Sequence, residues 1–249
     1  MGVCLNSIHE GKQIHVFTLG FTAEFVIKPL LEVGAGESTY IAVLYTVTRD
    51  EYSRKRVDDA INYIERLSRE AGFVSRVFFL QVPLPNSLYD LVYEVANALV
   101  RMLKSAEVRA SDIEGVDVWL TGGMRVLVIS TLIATKMLFE HMKVPVTYHA
   151  WSEDGVYKYA FNPQLLNLSL EDVSRTRMEV LKRVVSLGEC SYEELADAER
   201  RESTIRKLVE LLRKDNLVDC RRAGRHTICR ATELGTLVVK MMELVEVVL

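Results

Sequence analysis

Two hydrophobic periods alternate along the first two thirds of the chain. Ile14–Leu19 (IHVFTL), Thr39–Val47 (TYIAVLYTV), Arg76–Val82 (RVFFLQV) and Val116–Leu120 are short β-branched and apolar runs. Such runs read as strands covered on both faces. Helical spacing separates them: Thr22–Val33, Glu51–Ala71, Ser87–Lys104 and the long, very apolar Met124–Met142. Gly34-Ala35-Gly36 and Gly72 follow helices and act as C-caps. Val144–Ala150 and Val156–Phe161 read as a hairpin around Ser152-Glu153-Asp154-Gly155, adding antiparallel strands at the sheet edge. Four strand–helix units in succession predict an α/β fold, a mostly parallel sheet with helices on both faces.

Beyond a linker, Asn162–Ser169, the pattern changes, so the chain divides into 1–163 and 164–249. Leu170–Leu187 reads as a helix stopped by Gly188, and Ser191-Tyr192-Glu193-Glu194 is a capping box opening a short helix. Ser203–Lys214 is a helix with Ile205, Leu208 and Leu212 inward. Asn216–Arg222 and His226–Ala231 pair around Ala223-Gly224-Arg225, and Leu234–Leu249 closes the chain. Three helices, a two-stranded wing and a closing helix describe a winged helix-turn-helix. The turn Asp197–Arg201, without Gly or a Ser/Thr cap, departs from the usual one.

Composition narrows the classes. The chain has 249 residues, 49% hydrophobic and 26% charged, room for one large domain and a small one. No apolar run is long and uncharged enough to span a bilayer, and MGVCLNS starts neither a signal peptide nor a myristoylation site. This pattern predicts a cytoplasmic protein. Net charge is −3, but residues 1–172 carry −5 and residues 173–249 carry +2. The second part therefore fits nucleic-acid contact better than the first. Cys4, Cys190, Cys220 and Cys229 form no zinc spacing. Cys220 and Cys229 are expected to face each other across the Gly224-Arg225 turn, with two free thiols the first reading and a disulfide the alternative.

Ligands of such sheets sit beyond the strand C-termini, where strand order reverses. With order 3-2-1-4, the loops meeting there are Gly20-Phe21-Thr22 and Thr121-Gly122-Gly123-Met124-Arg125. Both open helices, whose free N–H groups favour an anion. Thr121 can cap the helix or bond a ligand, and Arg125 can reach a phosphate. Gly122 is the position expected to need positive φ, leaving Gly123 as the cleaner probe of a close ligand approach. The dinucleotide fingerprint, the P-loop and the GxSxG elbow are all absent; Ser7 and Ser130 lack its context. His9, His15, His141, His149 and His226 are scattered and show no catalytic constellation, and no metal set appears. In the second part, Ser203, Thr204, Arg206 and Lys207 are placed outward near a helix start, where base edges are read. Arg221, Arg222 and Arg225 on the wing suit phosphates or a minor groove.

TLGFTAEF at the first strand end, WLTGGMR after the fourth and the C-terminal wing together resemble the CRISPR-associated Rossmann-fold (CARF) winged-helix transcriptional regulators of archaea. The resemblance covers nearly the whole chain. It implies a homodimer whose first- and fourth-strand loops build one symmetric pocket for a cyclic oligoadenylate, with cyclic tetra-adenylate suiting two-fold symmetry. It adds Met124 to the ligand-facing residues Gly20, Phe21, Thr22, Thr121, Gly122, Gly123 and Arg125. The expected role is a ligand-responsive regulator of a palindromic DNA operator. The alternative is a ring nuclease whose winged helix serves dimerisation.

Overall fold

In the computed structural model, which describes residues 11–33, 38–47, 50–71, 76–151, 158–167, 173–196, 200–224 and 226–248, the side chains of Val33 and 244–248 excepted, the chain divides after Pro163 into two units. Ser7, His9, Gly34-Ala35-Gly36, Gly72, the turn 152–155, residues 197–199 and Arg225 lie outside the described residues.

The first unit runs β1 Lys12–Leu19, α1 Glu24–Val33, β2 Thr39–Tyr45, α2 Glu51–Glu70, β3 Val77–Gln81, α3 Leu88–Ser105, a short 3-10 turn, β4 Ile113–Trp119, α4 Arg125–His141, β5 Val146–Trp151 and β6 Lys158–Phe161. Its sheet has the order β3-β2-β1-β4-β5-β6. The strand alternation sorts side chains into two cores. Ile14, Val16, Ala42, Leu44, Val116 and Val118 pack with α3 and α4; Phe17, Leu19, Ile41, Val43 and Trp119 pack with α1 and α2. One expectation fails at the edge. β5 pairs parallel to β4, and only β6 is antiparallel. The reason is the connection: α4 carries the chain back across the sheet, so β5 starts from the same end as β4.

Side-chain acceptors hold the starts of α2 and α3. Asp50 accepts from the backbone N–H of Tyr52 at 3.3 Å and of Ser53 at 2.8 Å, and Ser87 from that of Tyr89 at 3.2 Å. α4 buries hydroxyls beside apolar groups: Ser130, Thr131 and Thr135 are fully covered along with Leu127, Ala134 and Phe139. Thr135 answers by donating to the Thr131 carbonyl at 2.6 Å. Outward on the same helix stand Val126, Ile129 and Met137, exposed by 43%, 48% and 63%.

The second unit runs α5 Gln164–Asn167, α6 Arg175–Leu187, β7 Glu189–Ser191, α7 Tyr192–Leu195, α8 Glu202–Lys214, β8 Val218–Ala223, β9 His226–Ala231 and α9 Glu233–Val248. Its core joins Val180, Leu181, Val184, Leu195, Ile205, Val209, Leu212 and Leu217 with Val238 and Val239 of α9. The capping box forms as expected: Ser191 Oγ accepts from Glu194 N–H at 3.3 Å, and Glu194 Oε2 accepts from Ser191 N–H at 2.7 Å. Four local expectations are corrected. Gln164–Asn167, within the expected linker, is a helical turn. Val209, not Leu208, is the fully buried middle residue of α8. The antiparallel sheet has three strands, β7-β9-β8, because Glu189–Ser191 pairs with β9 just before α7. Cys220 and Cys229 face each other in register, as expected, but are joined as a disulfide rather than free.

Candidate functional site

The strand order β2-β1-β4 makes β1 and β4 neighbours that connect in opposite directions, so their C-terminal loops converge. Between them lies a cavity of about 400 Å³, lined by Leu19, Gly20, Phe21, Thr22, Phe25, Thr46, Ser53, Val57, Thr121, Gly122, Gly123 and Met124. Seven of the eight ligand-facing residues expected from the sequence meet here. Arg125 does not: it is exposed at the start of α4 and is not part of the lining. Leu19, Phe25, Thr46, Ser53 and Val57 were missed. Thr46 and Ser53 stand on either side of Asp50, the cap of α2. They arrive because β2 adjoins β1, and helical spacing then puts Ser53 and Val57 on one face of α2.

The glycines answer first to one another. A Cβ on Gly20 would lie 2.7 Å from the Gly123 nitrogen, and one on Gly122 would lie 2.7 Å from the Thr18 carbonyl oxygen. Positive φ occurs at Gly123 (+97°), not at Gly122. The two loops thus pack backbone on backbone, a separation that side chains would not allow. Thr121 does not cap α4; its hydroxyl donates to the Phe25 carbonyl at 3.4 Å. The cap position is Met124, whose side chain makes no hydrogen bond to the first turn. Met124 instead reaches across the cavity, where Sδ accepts from Thr46 Oγ1 at 3.3 Å. Ala23, before α1, likewise has no side-chain acceptor. The pocket is therefore a cup of uncapped helix starts, hydroxyls and apolar surface, and none of its lining residues is titratable.

The same sheet carries a cluster that sequence reading dispersed. His15, Asp117 and His149 occupy β1, β4 and β5. Asp117 Oδ1 is 2.6 Å from His149 Nε2, and Oδ2 is 3.6 Å from His15 Nδ1. Trp119, 2% exposed, stacks on Phe17 and His149 at centroid distances of 5.7 and 4.1 Å. Lys158 lies 5.1 Å from the Trp119 ring and 2.6 Å from Glu32 of α1. The register pairs that build this cluster are set by the sheet, and no spacing in the sequence announces them. None of His15, Asp117 and His149 lines the cavity, and the Trp119 ring covers His149. Ser130, fully buried on α4, is not placed as a nucleophile either.

The cluster makes acid stability a measurable property. Burial holds the His15 pKa below its ordinary value of 6.5; Asp117 opposes this and His149 adds to it. Burial pushes the Asp117 carboxyl up, but the His149 hydrogen bond and the His15, His149 and Lys158 charges bring it below its ordinary 3.8. Below pH 6.5 the unfolded chain binds a proton that folded His15 resists, so stability falls as pH drops through that value. Asp117 contributes a second loss as pH falls below 3.8. Melting curves from pH 8 to 3 are expected to show both stages, and His15→Asn to remove the first. A melting temperature that stays flat from pH 7 to 5 contradicts this account.

In the second unit Ser203, Thr204, Arg206 and Lys207 are exposed at the start of α8. Arg206 is engaged locally, 3.1 Å from Glu202 and 5.3 Å from the Tyr192 ring. Arg221 meets Glu189 at 3.1 Å. Arg222 is exposed and pairs with no carboxylate among the described residues. No helix among the described residues is long and apolar enough to cross a membrane.

No curated protein sequence matches the chain. One family model does, that of the Csa3 CRISPR-associated Rossmann-like domain, over residues 13–162. The match begins in β1 and ends just past β6, spanning the whole six-stranded sheet and both loops of the pocket. The chain therefore belongs to the family of proteins carrying the Csa3 CRISPR-associated Rossmann-like domain.

Proposed function

We propose that this protein is a ligand-responsive transcriptional regulator of a CRISPR system in the archaeal cytoplasm. Residues 1–163 bind a cyclic oligoadenylate, cyclic tetra-adenylate being the best fit, and residues 164–249 read DNA as a winged helix-turn-helix. The observation that carries the reading is the convergence of two glycine loops, with uncapped helix starts, on one cavity at the switch point. A lining of backbone, hydroxyls and aromatic rings suits a nucleotide with its phosphates and bases. At about 400 Å³ one cavity has room for part of a four-nucleotide ring. Two cavities related by a dimer axis supply the rest.

The dimer reading rests on α4, which buries Leu127, Ala134 and Phe139 in the core of its own unit yet leaves Val126, Ile129 and Met137 exposed on its other side. On α9, Leu237 and Met241 are each 42% exposed. Light scattering at micromolar concentration is expected to give twice the 28.3 kDa chain mass, and Ile129→Asp to lower it. A wild-type mass of one chain overturns the dimer.

Calorimetric titration with cyclic tetra-adenylate tests the ligand. Thr22 is the side chain to vary, since it is exposed and lines the cavity, whereas Thr121 already bonds Phe25. Thr22→Val is expected to weaken binding by about two- to tenfold, the loss of one hydrogen bond. A wild type that binds no cyclic oligoadenylate overturns the reading. The rival, a ring nuclease, predicts linear products on incubation; the lack of titratable lining residues favours binding without cleavage.

For DNA, Ser203, Thr204, Arg206 and Lys207 are assigned to base edges and Arg221, Arg222 and Arg225 to phosphates of a palindromic operator. Arg222 pairs with no carboxylate among the described residues, while Arg221 is held by Glu189. Arg222→Ala is therefore expected to lower the slope of log affinity against log salt by about 0.9. Arg221→Ala is expected to lower it less. Equal, salt-independent losses contradict the assignment.

A further inference from the structure

The cavity has no charged lining residue, yet a phosphodiester ligand needs a cation. Arg125 does not supply one there. Arg56 stands at the mouth: its guanidinium lies 5.7 Å from the centroid of Phe21, which lines the cavity and is 46% exposed. Arg56 Nη1 donates to Tyr52 Oη at 3.3 Å and its guanidinium lies 5.9 Å from the Tyr52 ring. Among the described residues it pairs with no carboxylate. One turn of α2 thus presents Ser53 and Val57 to the cavity and Arg56 to its rim. We propose that Phe21 and Arg56 form a nucleotide subsite, Phe21 stacking a base and Arg56, steadied by Tyr52, neutralising the adjoining phosphodiester. This rests on the nucleotide reading of the pocket. A ring and a guanidinium plane are the surfaces on which unpaired bases stack, and a guanidinium is also the best phosphate fork.

The test is titration with cyclic tetra-adenylate at several salt concentrations, alongside melting curves. Arg56 and Tyr52 are exposed, so Arg56→Ala leaves melting unchanged. It is expected to cost about ten- to a hundredfold in affinity and to reduce the salt slope by about 0.7. Phe21→Leu is expected to cost about tenfold with no change of salt slope. Arg125→Ala should cost less than Arg56→Ala. If the wild type binds and both subsite variants bind equally well, the subsite is wrong and the nucleotide reading stands. If the wild type binds nothing, both fall.

The second unit carries an independent inference. Cys190 of β7 pairs in register with Cys229 of β9, which pairs in register with Cys220 of β8. Side chains paired in register across antiparallel strands share a face, so three sulfurs form one row with Cys229 in the middle. Cys190 is a buried free thiol, and its Sγ donates to the Cys229 carbonyl at 3.6 Å. Residues paired in register across antiparallel strands stand within the span of a cross-strand disulfide, and Cys229 has such a partner on each side. We infer that this row is an internal thiol–disulfide relay that moves the cross-link between β9–β8 and β7–β9. The Cys190 thiolate attacks Cys229 Sγ; the Cys229–Cys220 bond breaks and Cys220 takes up the proton that Cys190 lost. One disulfide and one thiol enter and leave, so no oxidant is consumed. The consequence is loss of the covalent tie between β8 and β9, which then stay together by backbone pairing alone.

Burial pushes the Cys190 thiol up to about 11, with Glu194 adding to the shift, so exchange is slow near neutrality and quickens with pH. The test uses the full chain with Cys4→Ser, held folded at pH 7 and pH 9, acid-quenched, alkylated and mapped by mass spectrometry. Expected at pH 9 are a Cys190–Cys229 peptide and alkylated Cys220, forming roughly tenfold faster per pH unit. With Cys190→Ser added, Cys220 stays unalkylated. A Cys220–Cys229 link alone at both pH values overturns the relay.

Discussion

Trp119→Ala is expected to destabilise the first unit by about 3–5 kcal/mol, the usual cost of emptying a buried aromatic site. Trp119 is 2% exposed and sits at the centre of a stack: Phe17 on one strand, His149 on another and the Trp151 ring edge-on at 6.5 Å. It also stands at the end of β4, next to the turn that builds the pocket. The residual cavity cannot close easily, because its walls are strand residues held by the register of β1, β4 and β5. For a unit of this size the loss corresponds to a melting temperature lower by roughly 6–20 °C. Trp119→Phe keeps a ring in the stack and should lose less than half as much. A Trp119→Ala protein that melts within 3 °C of wild type shows that the stack is not the packing centre described above.

Gly122→Ala is expected to cost about 1–3 kcal/mol, as for an overpacked core position. Its Cβ would stand 2.7 Å from the Thr18 carbonyl oxygen, which belongs to β1 and cannot swing aside. Gly20→Ala meets the Gly123 nitrogen at the same distance, and Gly123→Ala combines φ +97° with an approach of 3.2 Å to the Leu19 oxygen. Glycine replacement at any of these positions therefore disturbs folding before it reports on a ligand. This reverses the expectation that Gly123 would be the clean probe. Melting curves for Gly20→Ala and Gly122→Ala decide it: wild-type stability in either would mean the loops do not pack as described. Ligand contact is better probed at Thr22 and Arg56, whose side chains can be shortened without moving backbone.

Most of the first unit is written in its hydrophobic periods. Runs such as IHVFTL and YIAVLYTV cannot be amphipathic surface elements, so they must be buried strands, and the spacing of Val57, Ala60 and Ile64 commits α2 to one covered face. The alternation pointed to a parallel sheet, and the common order 3-2-1-4, which the chain adopts, made TLGFT and TGGM converge on one crevice. In the second unit, the capping box at Ser191 and the Cys220–Cys229 pairing were legible because each depends on residues a few positions apart. What depended on contacts between distant segments was not. The direction of β5 came from how α4 crosses the sheet, and the third strand β7 from pairing that spans 39 residues, from Cys190 to Cys229. His15, Asp117 and His149 lie more than 30 positions apart and meet only through strand register. Arg125 and Arg56 show the same division at the site. Arg125 is adjacent to the glycines in sequence, but the first turn of α4 leaves it exposed and outside the cavity. Arg56 is 35 residues from Phe21, and only the packing of α2 on the sheet face that carries Phe17 and Ile41 brings its charge to the mouth. Local periodicity and capping chemistry are properties of neighbouring residues, so the sequence by itself determined the elements and the place of the crevice. Which charges, rings and sulfurs face one another is decided by sheet register and helix packing, which exist only in the folded chain.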